Sequence, residues 1–348
     1  MPGMNTPFNL HNLLTAWQWG PFPIAALVTV LALGYWYLRA EWKLATKGRR
    51  WPAQRTVPFL AGLVLIDLAL QSPLATFTGS YFQAHVVQHL ILMVVAPPLL
   101  ALGAPSTLLL QTESRKVKSW WLAVLHSRPF AAITNPVLVW FAYFGAMFGF
   151  FLTGLVNTAM HDMALMDLCN LAFLFSGTLY WWPMVGLDPI IHWKMGYGAR
   201  IANLAIGVPF EAFLGIAIMS QHVPIASMYS LPSTHAGGAL LWAATELSTF
   251  AGTAPVFLQW LRADERAGAR ADARGEKAAR MKAAAANAQV PLGPPARVAP
   301  PIGESFRPLL QPGNSSWEAM FRAKAGHVPE AMTSPQHRPD VAAPPPAR

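Results

Sequence analysis

The first twelve Lys and Arg residues of this chain all fall in alternate gaps between apolar stretches, and none falls in the other gaps. The stretches run 22–38, 57–70, 85–110, 134–151, 163–185, 201–221 and 236–261. Most reach the roughly 20 residues that a helix needs to cross a bilayer core; the second is short and is read as a span through its neighbours. Arg39, Lys43, Lys47, Arg49, Arg50 and Arg55 follow the first stretch, Arg115, Lys116, Lys118 and Arg128 the third, and Lys194 and Arg200 the fifth. Cytoplasmic loops concentrate cations, so these gaps are expected inside. Residues 1–20 and the gaps near 71–84, 154–161 and 222–235 hold no Lys or Arg and are expected outside. The pattern predicts an all-α polytopic membrane bundle of seven transmembrane helices, N-terminus outside and C-terminus cytoplasmic. No cation precedes Arg39, so the first stretch lacks the basic flank of a cleaved signal and reads as a retained span.

Charge and cysteine usage narrow the function classes. The net charge of +9 would suit nucleic acid, but twelve of the cations flank helices, where anionic lipid headgroups lie. The rest follow from Arg262 onward and are offset there by acids. The partner expected is therefore the lipid bilayer, not nucleic acid. Cys169 is the single cysteine, which excludes an internal disulfide and a thiolate metal cluster. Four segments follow: an outer amino-terminal segment 1–20, the transmembrane domain 21–261, a charged cytoplasmic helix 262–290 and a Pro- and Ala-rich tail 291–348 expected to be disordered. Within that tail, 316–325 could form a transient helix around Trp317, Met320 and Phe321. Tryptophans flank the spans as an aromatic belt. Pro97, Pro98, Pro183 and Pro209 are expected to bend their helices, and Gly207, Gly215, Gly237 and Gly238 to let helices approach closely. Such glycine faces could equally make a homodimer.

The topology places most histidines at the outer face. His85 and His89 open the third stretch, His161 precedes the fifth, His222 ends the sixth and His235 opens the seventh. His85 and His89 are spaced i, i+4 and so share one helical face. Met93 lies one turn deeper, and Met160, Met163 and Met166 surround His161. Thioether and imidazole without thiolate suit copper, above all Cu(I), better than zinc or calcium. The alternative reading is structural, since histidine is common at interfaces and methionine is ordinary apolar filler. Four carboxylates, Asp67, Asp167, Glu211 and Glu246, lie inside spans, where a charge costs about 2.5–3.5 kcal/mol on insertion scales. No Lys or Arg shares their depth. Each is therefore protonated in a neutral interhelical hydrogen bond, or part of a proton or metal relay.

Several motifs coincide. His85-Val86-Val87-Gln88-His89-Leu90 runs into Ala96-Pro97-Pro98-Leu99-Leu100 and Gly103-Ala104-Pro105. Trp181-Trp182-Pro183, Gly186-Leu187-Asp188-Pro189 and Pro209-Phe210-Glu211 follow, then Gly237-Gly238, Trp242 to Glu246, and Gln259-Trp260 with Ala263-Asp264-Glu265-Arg266. In content and order they resemble the multi-spanning CtaG family of bacterial cytochrome c oxidase assembly proteins, over roughly residues 20–280. The resemblance implies a non-enzymatic, chaperone-like factor of the respiratory chain in the bacterial plasma membrane. It would supply copper to the oxidase's binuclear copper centre, with cytochrome c oxidase subunits as partners. His85 and His89 match the family's paired histidines, and Gly237, Gly238 and Glu246 its last-span signature. Members usually carry a histidine-rich stretch where this chain has Asp167, Cys169 and Asn170. They usually carry Pro-Phe-His where it has Glu211, and Asp-Gln where it has Thr234 and His235. On that basis the expected metal set is His85, His89, His161, His235, Met93 and Glu211, with Asp67, Asp167 and Glu246 as further intramembrane polar groups.

Two other functions fit the residues. A haem-binding membrane redox protein needs two histidines at matching depth on facing helices. A copper or proton transporter needs a polar route through Asp67, Glu211 and Glu246, and the inner halves of these spans are apolar. No Ser or Cys nucleophile with a neighbouring base stands at plausible depth, so a hydrolytic enzyme is not expected.

Overall fold

A computed structural model of the chain describes residues 7–188, 193 and 195–287. The tail 291–348, the segment 316–325 and the last three residues of the 262–290 segment lie outside them. The described residues contain helices and no strand. In chain order these are α1 (Leu10–Thr15), α2 (Pro21–Thr46), α3 (Ala53–Gln71), α4 (Pro73–Phe77), α5 (Phe82–Leu90), a π-helical segment (Ile91–Val95), α6 (Ala96–Leu102) and α7 (Pro105–Thr112). There follow α8 (Arg115–Leu125), α9 (Arg128–Ile133), α10 (Pro136–Leu152), α11 (Leu155–His161), α12 (Met163–Val185), α13 (Tyr197–Met219) and α14 (Leu231–Asn287). The chain divides after Asp272 into two units; the helices up to that point form the bundle described below, and 273–287, in the second unit, is helical and exposed where its side chains are described.

Five helical segments are long and apolar enough to cross a membrane: Pro21–Thr46, Ala53–Phe77, Phe82–Thr112, Met163–Val185 and Tyr197–Met219. The pair α10 and α11 makes a sixth if counted as one span, bent by 74°. Seven stretches were expected. The seventh, 236–261, lies inside α14 and is not among the six; Thr245, Glu246, Ser248, Thr249 and Thr253 dilute its apolar character. The short second stretch gains length because α3 extends past its apolar run, from Ala53 to Gln71, and α4 follows directly after Ser72, which caps it. Large apolar side chains stand exposed along the helices, among them Leu31, Phe141, Leu168, Phe213 and Phe250. Such a surface suits helices long and apolar enough to cross a membrane.

Proline shapes this bundle by removing backbone donors where no water replaces them. The Ala69 carbonyl would bond the amide of residue 73 in an unbroken helix, but that residue is Pro73. The Gln88 side chain supplies the missing donor at 2.8 Å, tying α5 to α3. The Met93 carbonyl faces Pro97 in an α pattern and Pro98 in a π pattern, and neither carries an N–H. The π-helical segment sits at this point, and Gly177 of α12 lies against it. A Cβ at Gly177 would stand 2.8 Å from the Met93 Cα and closer still to its oxygen. Only a glycine admits that approach.

The predicted glycine contacts are present and close within the chain. A Cβ at Gly215 would lie 2.6 Å from the Trp242 Cβ and 3.0 Å from the Gly238 carbonyl oxygen, and one at Gly238 would lie 3.0 Å from the Gly215 oxygen. The α13 and α14 backbones therefore meet face to face there, and these glycines offer no open face to a second copy.

At one end of the bundle two of the sequence motifs converge. Ala104, at φ 47°, turns the chain into α7. The buried Asp188 carboxylate accepts from Ser106 N at 3.1 Å and from Thr107 N and Oγ1 at 2.7 and 2.6 Å. It satisfies the first free amides of α7 from a loop more than eighty residues away. Burial pushes the Asp188 carboxyl above its ordinary value, while the Thr107 and Ser106 hydrogen bonds and nearby Arg55 pull the other way. Tyr37 completes the clasp: its hydroxyl donates to the Gly103 carbonyl at 2.7 Å, accepts from Trp51 Nε1 at 2.8 Å, and its ring stacks on Phe59 at 4.1 Å. Lys43 pairs with Glu113 at 3.3 Å at the same end.

Two outcomes follow for stability in detergent. Gly177→Val should lower the midpoint of thermal unfolding, at a cost of about 1–3 kcal/mol for overpacking. Gly145→Ala, where a Cβ meets nothing within 4 Å, should leave it unchanged or raise it. Asp188→Ala strands two amides and a hydroxyl and should cost about 2–3 kcal/mol, with Asp188→Asn milder because its Oδ1 still accepts. Equal thermal midpoints for Asp188→Ala and wild type would show that α7 does not need the clasp.

Candidate functional site

At the opposite end the third span begins with a loop, Thr78–Tyr81, and a helix N-terminus whose first turn faces inward. Phe82 N donates to Ser233 Oγ at 3.1 Å, and Ser233 Oγ donates to Gln83 Oε1 at 2.7 Å, so α5 starts fastened to α14. The Phe82 ring fills the space beside Gly237, where a Cβ would stand 2.7 Å from the ring's Cε1. This is the local purpose of the first glycine of the Gly237-Gly238 pair: it seats the aromatic floor under the histidines.

His85 and His89 then project together into the interior. Their Nε2 atoms are 2.7 Å apart and their rings 4.5 Å between centroids. They are 0% and 3% exposed, so the pair is sealed from solvent. The rings of Phe150 and Phe173 pack on His89 at 4.8 and 4.3 Å, Phe150 also reaches His85 at 5.6 Å, and Phe82 lies 6.2 Å from His85. Toward the loops, Tyr229 closes the cluster. Its hydroxyl lies 2.9 Å from His85 Nδ1, donates to the Thr78 carbonyl at 2.5 Å and has the Met160 sulfur 3.5 Å away. Burial pushes the Tyr229 phenol well above its ordinary value, so it keeps its proton. His89 Nδ1 is buried and has no hydrogen-bond partner.

The other expected ligands stand elsewhere. His161 is exposed and its Nδ1 lies 2.7 Å from the Asn157 carbonyl. His235 is half-buried with its Nε2 2.8 Å from the Gln221 carbonyl. Glu211 is buried between α13 and α14, where Thr249 Oγ1 donates to it at 3.0 Å, and Trp242 Nε1 donates to Glu246 at 3.3 Å. The Glu211 bond is interhelical, and that of Glu246 lies within α14. Asp67 and Asp167 are half-buried, and Asp67 Oδ1 has no partner. Met93 is buried in the π-helical segment, its backbone against Gly177. Among the described residues no group of three or more His, Cys, Asp or Glu is close enough to hold a metal ion. Of the expected set the structure brings together His85 and His89, and the partners it adds are Tyr229, Met160, Phe150 and Phe173.

Tyr229 and Phe150 carried no signal in the sequence. The first lies in the irregular 220–230 loop, and the second is one of several phenylalanines in an apolar run. Met160 was visible only as a neighbour of His161, yet its sulfur turns toward Tyr229. The two fully buried histidines both belong to α5, whereas a haem held by two axial imidazoles needs them on facing helices.

Comparison with known proteins agrees with this architecture. Residues 35–263 match the cytochrome c oxidase caa3 assembly factor family (Caa3_CtaG). Over 284 residues the chain is 29% identical to an uncharacterised protein of Mycobacterium leprae and 28% identical to uncharacterised proteins of Mycobacterium bovis and Mycobacterium tuberculosis. Each alignment covers 76% of this chain and 42% of the relative, so the chain spans less than half the length of these curated relatives. No solved structure matches it. The family match runs from within α2 into α14 and takes in the histidine pair, Tyr229, the Asp188 clasp and the glycine crossing; the chain belongs to the cytochrome c oxidase caa3 assembly factor family.

Proposed function

We propose that this chain is a multi-pass protein of the bacterial plasma membrane that holds copper at the His85–His89 pair and assists maturation of an oxidase copper centre. The observation that carries the reading is the buried imidazole pair with one nitrogen, His89 Nδ1, left without a partner. A buried polar atom with no partner is rare and calls for an explanation. The heteroatoms of the cluster are soft or borderline: the two imidazoles and, 3.5 Å from the Tyr229 hydroxyl, the Met160 thioether. No carboxylate is bonded to the histidine pair. Such a set fits a monovalent copper ion, which needs no charge compensation from hard oxygen ligands. Bound there, copper would be a cargo kept from water and oxidant for transfer to another protein.

The alternation of cations supports an outward histidine end. The Lys43–Glu113 pair and the Asp188–Thr107 contact show that the cation-bearing loops share the other end, which the positive-inside rule assigns to the cytoplasm. On this reading α14 supplies the seventh crossing, with Thr249, one of the groups that weaken its apolar character, buried against Glu211 of α13. The partners are subunits of a cytochrome c oxidase, and the chain acts without turnover chemistry of its own.

The test is a Cu(I) titration of the detergent-purified full chain beside a His85→Ala/His89→Ala double variant. One copper per chain in the wild type, lost in the variant, is expected. A wild type that takes up no Cu(I), or a double variant that binds as well as wild type, would sink the assignment.

A further inference from the structure

The hydrogen bonds over the histidine pair can run in only one direction. The Thr78 carbonyl is an acceptor and nothing else, so the Tyr229 proton is committed to it. The Tyr229 oxygen therefore meets His85 Nδ1 as an acceptor, and that nitrogen carries the hydrogen. Phenylalanines enclose the pair, and no carboxylate is bonded to it, so each ring is neutral and holds one proton. His85 Nε2 is then a lone pair, and His89 Nε2, 2.7 Å away, supplies the hydrogen between them. The one proton of His89 is spent on that bond. Its Nδ1 is left as a bare lone pair, buried and unpartnered.

The same geometry decides where a metal enters. Two imidazoles on one ion, each about 2 Å from it, hold their nitrogens about 3.3 Å apart or more. The two Nε2 atoms are too close for that and share a hydrogen. His89 Nδ1 is the ring nitrogen of the pair that no existing hydrogen bond occupies.

We propose that Tyr229 is a positioning residue that, acting through His85, sets the tautomer of His89 and presents its Nδ1 as the first nitrogen a soft monovalent metal ion meets. This rests on the copper reading and deepens it. Tyr229 belongs to the 220–230 loop, so the loop controls the donor set of a site it does not itself ligate. Ser227 N donates to Asn157 Oδ1 at 2.9 Å and Ile225 N to Thr234 Oγ1 at 3.2 Å, which hold that loop in place.

The experiment uses the full chain in detergent, labelled with 15N-histidine, and Ag(I) as a soft, redox-inert monovalent probe. The metal-free protein should show two buried histidines of opposite tautomers, His85 protonated at Nδ1 and His89 at Nε2, with His89→Ala assigning the signals. Ag(I) should move the His89 Nδ1 resonance first. Tyr229→Phe should scramble the His85 tautomer and weaken Ag(I) binding by about 10–100-fold, the range for partners that orient a ligand from behind. His126→Ala, at the other end, should do neither. Two like tautomers in the wild type would overturn the proposal, as would Ag(I) engaging the Nε2 atoms while His89 Nδ1 stays put. Tyr229→Phe with wild-type tautomers and affinity would do the same. A wild type with the expected tautomers that binds no Ag(I) removes the copper reading itself, and the metal role of Tyr229 with it.

Discussion

A carbonyl whose amide partner is proline has nowhere to turn in a hydrocarbon layer, and much of this bundle is arranged around two of them. Water would solvate such a group in a soluble protein; here the protein must supply the donor or the space. Gln88 supplies a donor to Ala69, in place of the N–H that Pro73 lacks. Gly177 supplies space at Met93, where both possible donors are prolines. Each solution fixes a helix pair, α5 against α3 and the π-helical segment against α12. His89 is next to Gln88 and one turn before Met93, so its azimuth is set by both contacts. The histidine pair is thus pointed inward by backbone accounting that has nothing to do with metal.

Once inward, the pair obeys the same constraint. An imidazole in an apolar enclosure must spend its hydrogen and find company for its lone pair. His85 does both, through Tyr229 and His89. His89 does only the first, because the phenylalanine rings around it offer no donor. A leucine or a donor-bearing side chain at the position of Phe173 would have changed this balance, removing the ring contact or the vacancy. The unmet nitrogen is therefore a consequence of which groups surround it, and it is the feature that separates this pair from an ordinary buried hydrogen bond.

Depth was legible in the sequence and rotation was not. Cation alternation and apolar length located five of the seven stretches as helices of spanning character, and a sixth if α10 and α11 count as one bent span; the i, i+4 spacing of His85 and His89 was enough to pair them. The seventh stretch is one helix, but Thr249 in it turns onto Glu211 of α13 and Thr245 is buried, and a summed hydropathy cannot tell a hidden threonine from an exposed one. His161 and His235 were grouped with the pair by their expected depth and by the departures from the family pattern. Their azimuths send them to backbone carbonyls of their own neighbourhoods. The 74° bend between α10 and α11 turns His161 away, and it arises at Gly154, whose φ of 76° the apolar pattern does not announce. Tyr229 is 144 residues from His85 in sequence and meets it through an irregular loop; no periodicity records such a contact.

Under the proposed copper role a sealed site poses a particular demand, because the cargo would have to leave it. Both histidines are shut beneath Tyr229, so nothing reaches them while the Thr78 and His85 contacts hold. Those contacts are few and lie in loops at the bundle end, whereas Gly177, Asp188 and the Gly215–Gly238 crossing pin the helices more firmly beneath. Stability in proteins is graded in this way, and elements that move are drawn from its weaker end. The loop that carries Tyr229 is thus the part of the enclosure that can open without disturbing the helices. Opening it would also free the His85 tautomer and, through the shared hydrogen, alter the donor that His89 presents. Under the proposed role, access to the site and the binding character of its deepest nitrogen would both be governed by one phenol.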